Sequence, residues 1–186
     1  IFDNGGVLFA HGFDGMRNGV YHVREFEQAV SDKFNIKHCQ AVTSGTAATK
    51  VALKAVGVKP GDEVITQAFN FIATVEAILD CGATPIIANV DRSLNMDPLE
   101  LSSLVSSKTS AIVPVHMLGV PADMDPIMAF AKEKGLPVVE DNCESVGARY
   151  DGVYLGAIGE AGVFSFDHGK IIATGEGGMV LCNDPA

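Results

Sequence analysis

The sequence predicts an α/β fold, a mostly parallel seven-stranded sheet flanked by helices. Short Val- and Ile-rich runs alternate with longer amphipathic stretches, the order expected of parallel strands joined by crossover helices. Most of those runs are continuously apolar and do not alternate, as strands covered on both faces require. Finally, the segments with chemical potential fall at the ends of predicted strands or the starts of helices, where open parallel sheets bind their ligands.

Strands are expected at 39–43, 63–66, 85–90, 111–115, 137–140, 162–166 and 179–182. The stretch 23–34 sets Phe26, Ala29, Val30 and Phe34 three and four residues apart, the spacing of one helical face. An Ala-rich helix over 46–56 follows a Ser-Gly turn, and a third over 71–80 should carry Ile72, Val75, Ile78 and Leu79 inward. Next, Asp97 reads as a cap, Pro98 as the first helical residue and Glu100 as the partner of a capping box. Asp125-Pro126 suggests the same start for a helix that runs through Ala131 and stops at Gly135. Residues 1–20 are Gly-rich and aperiodic and read as an arm or loop over a domain spanning 21–186. Because the chain does not begin with Met and stops just after a strand, it is expected to be part of a longer one.

Composition narrows the function classes. Of 186 residues, 47% are hydrophobic and 19% charged, which suits a globular domain. A net charge of −10 repels phosphate backbones and anionic lipid, so neither nucleic acid nor membrane is an expected partner. Cys39, Cys81, Cys143 and Cys182 are far apart and form no CxxC pair. Reduced thiols, no metal site and a cytoplasmic location follow as expectations.

Five segments could carry chemistry. Ser44-Gly45-Thr46-Ala47-Ala48 links a strand to a helix, and its small residues would let free N–H groups approach a phosphate; it reads equally well as an ordinary tight turn. Val138-Val139-Glu140-Asp141-Asn142 is an apolar strand ending in two acids. A carboxylate there could pair with a cationic ring nitrogen, though metal binding or helix capping is commoner. In Phe164-Ser165-Phe166-Asp167-His168-Gly169-Lys170, a lysine sits in a turn between apolar strands, where a Schiff-base amine or a salt bridge would fit. Phe69-Asn70-Phe71 places aromatics near a strand end, with Phe69 expected in the core. His116 closes the fifth strand-end segment, and a hydrogen-bonded structural role is favoured for it over catalysis.

Together these segments resemble the DegT/DnrJ/EryC1/StrS family, the pyridoxal 5'-phosphate (PLP)-dependent sugar aminotransferases of fold type I. The resemblance runs from about Val23 to Asp184 through VREFEQAV, SGTAA, KPGDEVIT, FNFIAT, GATPIIANVD, PVHMLGVPADMD, LPVVEDN, FSF and TGEGGMVLCND, in that order. It implies the PLP-binding large domain of that fold without its C-terminal small domain, acting as a homodimer. Lys170 would bind PLP as a Schiff base and shuttle a proton, and Asp141 would pair with the pyridine nitrogen. Gly45, the backbone of Thr46 and Ala47 and the Ser165 hydroxyl would hold the phosphate, with Phe71 stacked on the ring. Glu144 stands where the family often has Gln near the phenolic oxygen, a departure that puts its role in question. The implied reaction moves an amino group from an amino-acid donor, glutamate, to a nucleotide-linked keto sugar. The family's sugar 3-dehydratases carry His at the position of Lys170, so lysine favours amine transfer. Dehydration, a non-catalytic regulatory role and a generic phosphate-ligand module remain the alternatives.

Overall fold

The computed structural model describes residues 14–184. The N-terminal arm expected over 1–20 lies outside the described residues as far as position 13. From Asp14 the chain forms a short helix, α1 (Asp14–Arg17), whose Arg17 is buried.

All seven expected strands form, each within two residues of its expected start: β1 (His38–Val42), β2 (Glu63–Gln67), β3 (Thr84–Ala88), β4 (Thr109–Val113), β5 (Val139–Asp141), β8 (Ala161–Ser165) and β9 (Gly178–Cys182). Their order is β3-β2-β4 and β5-β8-β9-β1, and parallel bridges Ile112–Val138 and Val115–Asp141 join β4 to β5. Only β9 runs against the rest, antiparallel to both β8 and β1. A two-stranded hairpin outside the expected strands, β6 (Arg149–Tyr150) with β7 (Val153–Tyr154), lies between β5 and β8.

The continuous apolar runs are explained by the layers above and below the sheet. Successive strand residues point to opposite faces, and here both faces are covered. Val64, Val113, Val139 and Val163 join one core with Ala48, Ala52 and Leu53 of α3 (Gly45–Ala55) and Ala77 and Ile78 of α4 (Ile72–Asp80). Their neighbours Ile65, Ile112 and Val138 pack on the other side against Met124, Ile127 and Ala131 of α6 (Met124–Lys134). Val30 and Phe34 of α2 (His22–Phe34) meet Phe164 of β8, Met179 and Leu181 of β9, and Phe166 just beyond β8.

Several expected details differ. In α4 the buried residues are Thr74, Ala77 and Ile78, while Ile72 and Leu79 are both 56% exposed; in α2, Ala29 faces outward. Helix α4 has apolar residues around most of its circumference, so periodicity could not choose the face that meets the sheet. Phe69, expected in the core, is 41% exposed because it lies in the loop beyond β2. Asp97 does cap a short 3-10 turn, Pro98–Glu100, that leads into α5 (Leu101–Leu104). The capping box does not close: Glu100 instead takes the backbone and side-chain N–H of Asn89, which hold its carboxyl below the usual range. Asp123, not Asp125, stands at the start of α6, and Gly135 ends that helix with φ 66° and an N–H turned back to Ala131.

Candidate active site

β1, β5 and β8 all end on the same side of the sheet, because each runs parallel to the others. A cavity of about 530 Å³ opens there, and its wall includes Gly45, Thr46, Phe71, Asp141, Glu144, Ser165 and Lys170. Of the residues that the family resemblance assigns to the cofactor, Ala47 alone is not part of that wall.

The first wall is the start of α3. Ser44 is in extended conformation and its hydroxyl accepts the Ala47 N–H at 3.1 Å, a side-chain cap of the kind worth about 1 kcal/mol. The Ala47 N–H expected at a phosphate is therefore already engaged. The first N–H groups of a helix have no acceptor within it, and with Ala47 capped, the other two residues of the α3 start, Gly45 and Thr46, line the cavity. Gly45 is required by contact. A Cβ there would lie 2.8 Å from Ser165 Cβ and 3.0 Å from Cys143 Sγ. Ser165, last in β8 and 5% exposed, thus sits directly against the start of α3. Gly45→Ala is expected to push Ser165 off the helix start and weaken capture of a phosphorylated ligand about tenfold or more, as isothermal titration with PLP would report; unchanged affinity would show that the two walls can separate freely.

Asp141 ends β5 and forms the second wall. Its backbone is tied to β4 through Asp141 N–H to Pro114 O at 2.9 Å and His116 N–H to Asp141 O at 3.0 Å. Its carboxylate, 5% exposed, accepts the Thr74 hydroxyl on Oδ2 at 2.7 Å and the Cys143 N–H on Oδ1 at 3.2 Å. Both partners line the cavity, and neither was singled out from the sequence. Burial, and then the Asp141 charge, push the Cys143 thiol well above its ordinary range, so it stands as a neutral wall group.

Lys170 closes the site from the turn after β8, held by its N–H to Asp167 O at 2.9 Å. Its ammonium lies 5.7 Å from the centre of the Phe71 ring and 3.6 Å from Glu144 Oε1. Glu144 also accepts the Leu118 N–H on Oε2 at 3.4 Å, so both its oxygens are turned to donors. Phe71, just before the first turn of α4, is 62% exposed and presents a ring face to the cavity.

At the rim, Asp167, His168 and Glu176 bring one ligand atom each within 4.8 Å of one another. All three are partly or wholly exposed, a common surface arrangement. His116 takes no part in the cavity. It is fully buried, its Nδ1 accepts the Ala122 N–H at 3.0 Å and its Nε2 faces Glu140 at 3.1 Å, the structural role favoured for it.

The description of the DegT/DnrJ/EryC1/StrS aminotransferase family matches residues 14–186. The chain belongs to that family. Among its DegT/DnrJ/EryC1/StrS relatives, GDP-perosamine synthase of Caulobacter vibrioides is 45% identical over 161 residues, which are 86% of this chain and 43% of that protein. An aminotransferase from Psychrobacter cryohalolentis, known from its X-ray structure, superimposes with a TM-score of 0.86 at 40% identity, over 89% of this chain and 42% of that one. An Escherichia coli GDP-4-keto-6-deoxy-D-mannose-3-dehydratase, solved with hydrated PLP, matches with a TM-score of 0.82 at 30% identity, over 88% and 44% of the two chains. The chain thus spans less than half the length of each of these relatives.

Proposed function

We propose that this protein is a PLP-dependent aminotransferase that moves an amino group from an amino acid, glutamate, to the keto carbon of a nucleotide-linked sugar. The observation that carries the reading is the convergence of Lys170, the Asp141 carboxylate and the α3 helix start on one cavity.

The residues present fit PLP. Free N–H groups at a helix start favour an anion, and the missing Cβ of Gly45 lets the Ser165 hydroxyl reach the same place. Asp141 supplies the negative charge that a protonated ring nitrogen needs, and Phe71 supplies an aromatic face. When bound, PLP supplies an electron sink for the chemistry at the donor's α-carbon.

The chain's own groups do the rest. Lys170 Nζ provides the amine that holds the cofactor and moves the proton that leaves the donor's α-carbon. Asp141 holds a proton on the ring nitrogen through its charge, and Ser165 with the N–H groups of Gly45 and Thr46 anchors the phosphate end. Glu144 holds Lys170 Nζ in the site by charge.

A sugar dehydratase stands among the solved relatives. The lysine at position 170, where the family resemblance puts histidine in such dehydratases, supports amine transfer. We further place residues 21–186 as the cofactor-binding large domain of a homodimer. Exposed apolar side chains such as Ile72, Leu118 and Ile171, near the residues of the cavity wall in sequence, offer surface for subunit contact. All four cysteines are free, in keeping with a cytoplasmic location, and among the described residues no helix is long and apolar enough to cross a membrane.

The test is product analysis on the whole protein supplied with PLP, glutamate and a nucleotide-linked keto sugar. Amino sugar and 2-oxoglutarate in equal amounts are expected. A deoxygenated keto sugar without nitrogen would assign dehydration instead, and bound PLP that no amino donor alters would assign a regulatory role.

A further inference from the structure

Resting on the reading above, we propose that Thr74 is a positioning residue that sets the Asp141 carboxylate for the cofactor's ring nitrogen. Thr74 Oγ1 donates to Asp141 Oδ2 at 2.7 Å, and the two residues are 67 positions apart in sequence. Thr74 is 1% exposed and Asp141 5%, so water does not compete for this bond. An ionised carboxylate can accept about four hydrogen bonds. Thr74 takes one site on Oδ2, while Cys143 takes up Oδ1, so Oδ2 keeps a site for one more donor. The carboxylate is thereby held from two sides while it keeps capacity to meet a cationic nitrogen.

The placement of Thr74 has a second consequence. It lies in the first turn of α4, and its N–H returns to Phe71 O at 3.2 Å. One helix start therefore carries both the aromatic ring at the cavity and the hydroxyl on Asp141. Movement of the β2–α4 segment would shift the stacking face and the carboxylate together, so this segment sets the slot into which the cofactor ring fits. Hydrogen bonds to charged groups are the stronger ones in proteins, and loss of this one frees the Asp141 carboxylate to turn away from the cavity.

The discriminating pair is Thr74→Val, which keeps the shape and removes the hydroxyl, and Thr74→Ser, which keeps the hydroxyl. On the whole protein, Thr74→Val is expected to weaken PLP binding about tenfold and to move the pH midpoint of the bound-PLP absorbance. Thr74→Ser should bind within about threefold of wild type with the wild-type midpoint. Asp141→Asn is expected to abolish the difference between the valine and serine variants, because a neutral amide gives the hydroxyl no charge to position. Equal affinities and midpoints for wild type and Thr74→Val, or a serine variant that behaves like valine, would overturn the role of Thr74 alone. A wild-type protein that takes up no PLP would overturn the role together with the reading on which it rests.

Discussion

Lys170→Ala is expected to abolish covalent capture of PLP and lower amine transfer by at least about a thousandfold. Borohydride treatment of the whole protein with PLP should add a phosphopyridoxyl mass to the peptide containing Lys170 in the wild type and to no peptide in the variant. The fold should persist. Lys170 lies in a turn with its side chain 19% exposed, and alanine there removes only an ion pair with Glu144 at 3.6 Å and the approach to the Phe71 ring. Pairs that are partly open to water contribute about 1 kcal/mol or less, so the thermal midpoint should move by only a few degrees. The separation between abolished capture and kept stability makes the experiment decisive. A labelled peptide elsewhere, or transfer retained in the variant, would remove the assignment of Lys170. Lys170→His, the residue implied for the dehydratases, should fail in transfer as alanine does, since imidazole cannot take the place of the primary amine.

The second large effect is expected at Glu140, the neighbour of Asp141 that faces away from the cavity. Glu140 is fully buried, and its carboxylate accepts from four groups. His116 Nε2 and the Gly156 N–H reach Oε2 at 3.1 and 2.9 Å, while the N–H groups of Ile158 and Gly159 reach Oε1 at 2.7 Å each. Because His116 Nδ1 accepts from the Ala122 N–H, the network places the ring hydrogen on Nε2, directed at Glu140. Every partner is thus a donor, which suits a carboxylate and defeats an amide. In either orientation, the NH2 of Glu140→Gln would confront two N–H groups with nothing to accept them. Breaking a buried arrangement of this kind costs about 3–5 kcal/mol, comparable to much of a domain's net stability. The expected result is a large fall in the urea midpoint of the variant, or failure to accumulate folded protein. An unchanged midpoint would mean that the 156–159 loop finds other acceptors.

Glu140 and Asp141 also show how far the sequence could be read. Two acids at the carboxyl end of an apolar strand mark a site with a ligand-binding geometry, and the family resemblance singles out the second. Their chemistry is the same, so residue type alone could not assign the two roles. Pleating does, by sending consecutive side chains to opposite faces. Asp141 meets Thr74 and the cavity, and Glu140 meets His116 and the loop before β8. The β6–β7 hairpin was legible but missed. Asp151-Gly152 stands between its strands with both residues at positive φ, 46° and 84°, the Asp-Gly signature of a tight hairpin turn.

By itself the sequence determined the seven strands, the helices between them and the strand-end placement of Gly45, Asp141, Ser165 and Lys170. Those features follow from local causes, namely apolar runs, capping residues and glycines, which act over a few residues. Only the tertiary structure decided which face of α4 is buried and that Thr74 holds Asp141 from 67 positions away. It also decided that Glu144 turns toward Lys170. Hydrogen bonds and close approaches of this sort form mostly between segments tens of residues apart, and their partners are chosen by how the layers pack, which no local pattern records.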